Sequence, residues 1–234
     1  MCLEDPLESR DARYEFPRLS PNVSCDVPYH LDVLPDGRET LVTGDVKTLS
    51  EYCHRQGDNP FGFRGTCGLC SCEGIMRQFG LEVTEADVVA YAIAHGLCYV
   101  EGDSGMRGGS TVVEQVRILS DFGVPAHHES TCSLEDLAAS LEHGRGVIVA
   151  LDCGVLWDDA NYYDGRANHA VTPIGVARDP ETGQIQGFYV NDTGTGESGR
   201  FVDAATMDEA WVQLGGTCVV TDRGHLRNEQ RTAS

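Results

Sequence analysis

The chain has 234 residues, of which 41% are hydrophobic and 23% charged, and its formal net charge at pH 7 is −20. This length and composition are typical of one globular domain with or without an extension, and the charge argues against binding nucleic acid or an anionic membrane through a basic surface. No apolar run reaches the length of a membrane-spanning helix, and the first residues do not follow the pattern of a cleaved signal peptide.

Ten cysteines are spread along the chain. Small secreted domains held together by disulfides are shorter and richer in cysteine than this chain. We therefore expect mostly reduced thiols, in a protein that is cytoplasmic or is delivered to a target cell without a cleaved N-terminal signal.

The first part of the chain differs in composition from the rest. Residues 1–45 are rich in proline, aspartate, glutamate and arginine and show little periodicity. This composition predicts an extended N-terminal arm over residues 1–45. The folded domain is expected to cover residues 46–225, followed by a C-terminal tail at residues 226–234.

Three of the cysteines lie at a predicted loop-to-helix junction. The turn Gly65-Thr66-Cys67-Gly68 leads directly into a predicted helix that Gly80 can end. The first turn of a helix offers free backbone N–H groups and the positive end of the helix dipole, and both favour a thiolate over a thiol. A cysteine at this junction is therefore a candidate nucleophile.

Three further helices are indicated by capping sequences. Each begins with Thr or Ser, has Asp or Glu three residues later, and is followed by a glycine that can end it. The predicted N-caps are Thr84, Thr111 and Ser133, and the corresponding stops are Gly96, Gly123 and Gly144.

The pattern changes from helices to strands after the third of these stops. Apolar runs predict strands at residues 147–151, 169–176, 187–190, 201–202 and 218–220, with a short helix at residues 207–212. Residues 179–183 have the composition of a turn. Helices followed by strands that can pair as hairpins predict an α+β fold with a mostly antiparallel sheet.

A histidine and a carboxylate lie at the ends of two of these strands. His169 begins one predicted strand, and the pair Asn191-Asp192 ends the next. Cysteine, histidine and aspartate are the groups that split amides or esters through a thioester intermediate. Cys67, His169 and Asp192 are therefore the candidate catalytic residues.

The order of these motifs resembles that of papain-like cysteine peptidases, and most closely their C39-like branch. That family carries its nucleophile in a (Asp/Thr)-Cys-Gly turn before a helix that ends in an aromatic-Gly pair, and the match runs from about residue 64 to residue 211. The resemblance implies a papain-like fold with the nucleophile helix packed on the sheet, and a Cys67–His169–Asp192 triad that hydrolyses peptide or isopeptide bonds without a cofactor. Asn191 is the alternative partner of the histidine.

A weaker resemblance concerns the biological role. Residues 154–163 and 196–201 are similar to segments of the papain-fold domains found at the ends of large bacterial polymorphic toxins. This resemblance implies a delivered effector that acts on a protein or peptide substrate and has an immunity protein as a partner. Neither nucleic acid nor membrane is expected as a partner.

A competing register makes Cys70 the nucleophile, because the segment also resembles the Cys-Gly-Ser-Cys of papain itself. Two departures weaken it: Ser71 stands where that family has an aromatic residue, and Arg64 stands where it has a glutamine. In neither register does a glutamine occupy the position of the oxyanion donor. That assignment stays open, with Gln56 and Asn59 nearby.

Two rival functions are compatible with the same residues. An acyltransferase or cyclase would use the same thioester and transfer it to an amine instead of water. Alternatively, the chain is a non-catalytic metal-binding module in which Cys67, Cys70 and Cys72, with Cys53 and His54, supply soft ligands. Zinc sites usually pair two Cys-x-x-Cys sequences, and a second one is missing from this sequence.

Overall fold

The computed structural model describes residues 27–225; residues 1–26 and the predicted tail at residues 226–234 lie outside this range. Within it, the strands are β1 (Tyr29–Val33), β2 (Glu39–Thr43), β3 (Ala126–Glu129), β4 (Arg145–Leu151), β5 (His169–Arg178), β6 (Ile185–Asp192), β7 (Glu197–Asp203) and β8 (Cys218–Gly224). The helices are α1 (Val46–Ser50), α2 (Cys67–Gln78), α3 (Glu85–His95), α4 (Val112–Asp121), α5 (Leu134–Glu142), α6 (Cys153–Trp157) and α7 (Ala204–Ala210), followed by a 3-10 helix at Val212–Leu214.

The strands of the described residues form one antiparallel sheet. Its main path has the order β1-β2-β5-β4-β8-β3, while β6 pairs with β5 and β7 pairs with β6. β5 is the longest strand and pairs with β2, β4 and β6, so it lies inside the sheet. The predicted α+β class and the antiparallel sheet are confirmed.

Helices cover both faces of the sheet. Successive residues of a strand point to opposite sides, so each inner strand contributes to a core on each face. On one face, Ile148 and Val219 pack in a core with residues of α2, α3 and α4. On the other face, Val149 and Val220 pack with residues of α5 and α7 and with Trp211. α2 therefore lies on the sheet, as the sequence predicted.

The structure contains the local hydrogen bonds that the predicted helix starts require. At the N-termini of α3, α4 and α5, the capping side chain accepts a backbone N–H and the carboxylate three residues later accepts the N–H of the cap. α2 ends just before Gly80, whose φ of +84° is readily adopted only without a Cβ. No helix among the described residues combines the length and apolar character needed to span a bilayer.

Residues 29–43 differ from the predicted extended arm. They form the hairpin β1–β2, and β2 joins the sheet by pairing with β5. Val42 is fully buried, and the connecting turn includes Gly37 with a φ of +89°. The prediction was wrong here because only Thr40 and Val42 of this hairpin's strands are buried. The alternation of buried and exposed residues is therefore too short to be recognised as a strand within a polar segment.

Candidate active site

Three chain segments meet at the candidate site: the first residue of α2, the start of β5 and the end of β6. β5 and β6 are antiparallel neighbours with Thr172 opposite Asn191, so the first residue of β5 lies beside the last residue of β6. α2 packs on β5, and Cys67 at its N-terminus interacts with the backbone of Ala170 near the start of that strand. The structure thereby brings Cys67, His169 and Asp192 together.

The histidine and the aspartate are joined by a short, buried hydrogen bond. Nε2 of His169 lies 2.7 Å from Oδ1 of Asp192, and the two residues are 7% and 0% exposed. Burial alone would raise the pKa of Asp192, but the hydrogen bond and the charge of His169 outweigh it and hold that pKa below its usual range. A carboxylate fixed in this way sets the orientation of the imidazole ring and favours its charged form.

The thiol of Cys67 lies beside the imidazole of His169 and interacts with it electrostatically. Because Nε2 of the ring already contacts Asp192, Nδ1 is the nitrogen available to the sulfur. Burial acts to raise the pKa of Cys67, but the interaction with His169, together with the backbone of Ala170 and Gly68, lowers it below the usual thiol range. Burial acts to lower the pKa of His169, and Asp192 and Cys67 raise it to about 9. These opposite shifts favour a thiolate–imidazolium pair.

The other two cysteines of α2 face different surroundings. Cys70 is buried, its sulfur lies 3.7 Å from Oγ1 of Thr66, and burial together with the charge of Glu85 raises its pKa well above the usual range. Cys72 is fully buried 3.9 Å from the carbonyl oxygen of Gln115, and burial raises its pKa as well. Neither environment favours a thiolate, so the competing register gains no support from this geometry.

The five residues considered as soft metal ligands do not all converge on one point. Cys67, Cys70 and Cys72 face His169, Thr66 and Gln115, respectively, and Cys53 donates to the carbonyl oxygen of Glu197 at 3.5 Å. His54 hydrogen-bonds to Glu73 at 2.7 Å. Two of the five, His54 and Cys70, do lie close together in a group with Glu73 whose ligand atoms are all within 4.8 Å of one another. The five side chains as a whole do not form one coordination shell.

The amide side chains near the nucleophile hold backbone segments in place. Asn191 donates to the carbonyl oxygen of Leu49 at 2.9 Å and accepts the N–H of Gly199, so it faces away from the histidine. Gln56 donates to the carbonyl oxygen of Arg64 at 2.6 Å, and Asn59 donates to that of Phe63 at 2.8 Å. These contacts engage all three amides elsewhere, so none of them points at the sulfur of Cys67.

Trp157 lies at the site although no catalytic or positioning role was predicted for it. Its indole N–H donates to Oδ2 of Asp192 at 2.6 Å, and its ring centroid lies 5.2 Å from that of His169. A Cβ at Gly194 would lie 2.8 Å from the Trp157 ring and 2.9 Å from the His169 ring, so this close approach requires glycine. No local motif marks a tryptophan for this position, because it reaches Asp192 through the tertiary fold.

A second unpredicted residue, Glu85, organises the loop that precedes Cys67. Its buried carboxylate accepts the backbone N–H groups of Gly57 and Asp58, the amide of Asn59 and the hydroxyl of Thr66, which is the N-cap of α2. In the sequence, Glu85 reads only as an acidic residue in the first turn of α3. The donors that reach it lie 28 to 19 positions earlier in the chain, so no spacing rule identifies it.

We expect Glu85→Gln to lower the free energy of unfolding by about 2–4 kcal/mol, because its NH₂ group cannot accept the donors that now converge on a carboxylate. Urea unfolding followed by circular dichroism measures this effect. Glu101→Gln, at an exposed position, is the matched control and should change stability by less than about 0.5 kcal/mol. Equal stability of Glu85→Gln and wild type would contradict a structural role for this carboxylate.

Comparisons with known proteins add one similarity in fold. No family model matches the chain, and no curated protein matches it in sequence. Among solved structures it is similar to a crystal structure described as a "putative C39-like peptidase" from Bacillus anthracis, with 17% identity and a TM-score of 0.47 over 74% of this chain and 98% of that one. A similarity of this degree assigns no activity or residue role to this chain.

Proposed function

We propose that this chain is a cysteine peptidase with a Cys67–His169–Asp192 triad. The observation that carries the proposal is the buried hydrogen bond between His169 and Asp192 beside the Cys67 thiol, which lies at the N-terminus of a helix and interacts with the imidazole. The lowered pKa of Cys67 and the raised pKa of His169 give both groups the protonation states that a thiol nucleophile and a general acid require.

In the proposed reaction the Cys67 thiolate attacks the carbonyl carbon of a peptide or isopeptide bond. The imidazolium of His169 gives its proton to the leaving amine, and a thioester remains on the sulfur. His169 then takes a proton from water as the water attacks the thioester. This step releases the carboxylic acid product and restores the thiolate–imidazolium pair. Asp192 keeps the ring oriented and stabilises its positive charge, and Trp157 holds the second oxygen of that carboxylate.

The developing oxyanion needs hydrogen-bond donors near the sulfur. The first N–H groups of α2 have no partner within the helix, and the backbone of Gly68 already faces the thiol. We assign the oxyanion to this helix N-terminus, where the dipole adds favourable charge. Gln56 and Asn59 then have positioning roles, since their amides are engaged with the loop before α2.

We further propose that the peptidase is the catalytic part of a bacterial effector with a protein or peptide substrate and an immunity protein as its inhibitor. This proposal is supported by the resemblance of residues 154–163 and 196–201 to toxin-borne papain-fold domains. The first of these segments contains Trp157, whose indole N–H donates to Asp192.

Induced expression in a bacterial cytosol tests both levels of the proposal. We expect wild type to arrest growth and to create new protein N-termini, detected by proteome-wide N-terminal labelling, whereas Cys67→Ala and His169→Ala should do neither. Cys98→Ala, at another buried thiol, is the matched control and should behave as wild type. New N-termini without growth arrest would remove the effector role and keep the peptidase. Modified amines without new N-termini would indicate acyl transfer, and toxicity of both mutants would refute catalysis by this triad.

A further inference from the structure

A second group of reactive side chains lies at the margin of the core on the other face of the sheet from α2, with two buried cysteines and a partly exposed glutamate. Glu129 ends β3 and pairs with Cys218, the first residue of β8, while Cys132 lies in the turn that leads into α5. The two sulfurs are 3.8 Å apart, and Sγ of Cys132 is 3.4 Å from Oε2 of Glu129. Both thiols are buried and free. The mechanism proposed above uses none of these three residues.

These distances match the edges of a tetrahedral coordination shell. With Zn–S bonds of about 2.3 Å and tetrahedral angles, two sulfur ligands lie about 3.8 Å apart. With a Zn–O bond of about 2.0–2.2 Å, a sulfur and an oxygen ligand lie about 3.6 Å apart. The observed S–S distance between Cys132 and Cys218 is close to the first value, and the S–O distance between Cys132 and Glu129 is close to the second. A disulfide, by contrast, would require the two sulfurs to approach to about 2.05 Å.

We propose that Glu129, Cys132 and Cys218 bind a zinc-class divalent cation, with the fourth coordination position open to water. Two sulfur ligands select a borderline-soft ion over magnesium or calcium, which prefer oxygen ligands throughout. The two thiol protons leave to solvent when the sulfurs bind the ion as thiolates.

The surrounding residues hold these ligands in place without the ion. The backbone N–H groups of Thr131 and Cys132 donate to the carbonyl oxygens of Gly215 and Gly216, which fixes the turn before α5 against the segment before β8. Thr131 has a φ of +62°, an uncommon conformation for a residue with a branched Cβ. A bound ion would add a link between this turn, the edge strand β3 and β8.

His127 is hydrogen-bonded to Glu129 and would be an outer-sphere partner of this metal ligand. Nε2 of His127 lies 2.9 Å from Oε1 of Glu129, and its Nδ1 lies 2.6 Å from Asp222. This arrangement leaves Oε2 of Glu129 facing Cys132. Partners of this kind orient metal ligands, and their loss typically lowers metal affinity about 10- to 100-fold.

Metal titration of the full chain tests the proposal. The protein is purified with a reductant, stripped with a chelator and titrated with Co²⁺, whose thiolate charge-transfer absorption reports sulfur ligands, and then with Zn²⁺. We expect one ion per chain, loss of the thiolate band in Cys132→Ser and Cys218→Ser, and an unchanged band in Cys98→Ser. Cys70→Ser belongs in the series because His54, Cys70 and Glu73 form another close group of metal-binding side chains.

His127→Gln keeps all three ligands and serves if the cysteine variants do not fold, since this side chain is half-exposed. We expect it to weaken Zn²⁺ binding about 10- to 100-fold. The proposal is overturned if reduced wild type takes up no ion, if Cys70→Ser is the variant that loses it, or if His127→Gln and both cysteine variants bind as wild type does. Mass spectrometry that finds a Cys132–Cys218 disulfide resistant to reduction would also overturn it.

Discussion

Cys67→Ala is expected to lower kcat/KM for a cleaved substrate by about 10⁴-fold or more, because no other group can form the thioester and the triad acts as a unit. Cys70→Ala and Cys72→Ala should keep most of the activity, since their thiols face Thr66 and Gln115 instead of the histidine. The measurement is cleavage of a substrate found by N-terminal labelling, with circular dichroism to show that each variant is folded.

Iodoacetamide provides an independent readout of the same residue. Mass spectrometry of the briefly labelled protein should place the modification at Cys67 and leave Cys98, whose pKa burial raises to about 11, mostly unmodified. If Cys70→Ala is the inactive variant and Cys67→Ala is active, the papain register is correct and the assignment moves by one helical turn.

The second large effect concerns pH. Since the pKa of Cys67 is lowered and that of His169 is raised to about 9, the thiolate–imidazolium pair forms as pH rises through the lower pKa. Turnover should fall again as pH rises above about 9, because His169 then loses the proton that the leaving amine needs. The expected profile of kcat/KM is a bell that rises through the lowered pKa of Cys67 and falls through the raised pKa of His169.

His169→Gln removes the largest contribution that lowers the pKa of Cys67. The pH midpoint of Cys67 alkylation should therefore move to higher pH. Above neutral pH, each further unit of increase in this midpoint lowers the thiolate fraction at pH 7 about tenfold. Stopped-flow alkylation between pH 5 and 10 measures the midpoint, with His143→Gln as the control at an exposed histidine. An identical midpoint in His169→Gln and wild type would show that the ring does not activate the sulfur, whatever its distance.

Much of the fold was predictable because its signals are local. The capping boxes at Thr84, Thr111 and Ser133 combine a side-chain acceptor and a carboxylate three residues apart, and such a pair needs no tertiary contact to start a helix. β5 and β6 were predicted from their apolar runs and the intervening turn. Their antiparallel pairing then explains why His169 and Asp192, distant in sequence, lie side by side.

The remaining features depend on contacts between distant parts of the chain. β3 is a strand because it pairs with β8, and its four residues, two of them histidines, carry no apolar alternation. Trp157 and Glu85 have site roles through hydrogen bonds to Asp192 and Thr66, which no sequence spacing encodes. The catalytic roles of the triad stay a prediction, whereas the proximity of its three members is a property of the structure.

The distribution of the candidate triad over the chain also bears on when activity can arise during synthesis. The ribosome makes α2 long before β5 and β6, and β2 waits still longer for its partner, with Thr40 and Arg178 138 positions apart. Pairings of such sequence separation form late, because loop closure must precede them. A nascent chain ending before β5 lacks His169, which lowers the pKa of Cys67 in the folded protein. On the proposed function, the thiolate–imidazolium pair therefore forms only after β5 and β6 have been made.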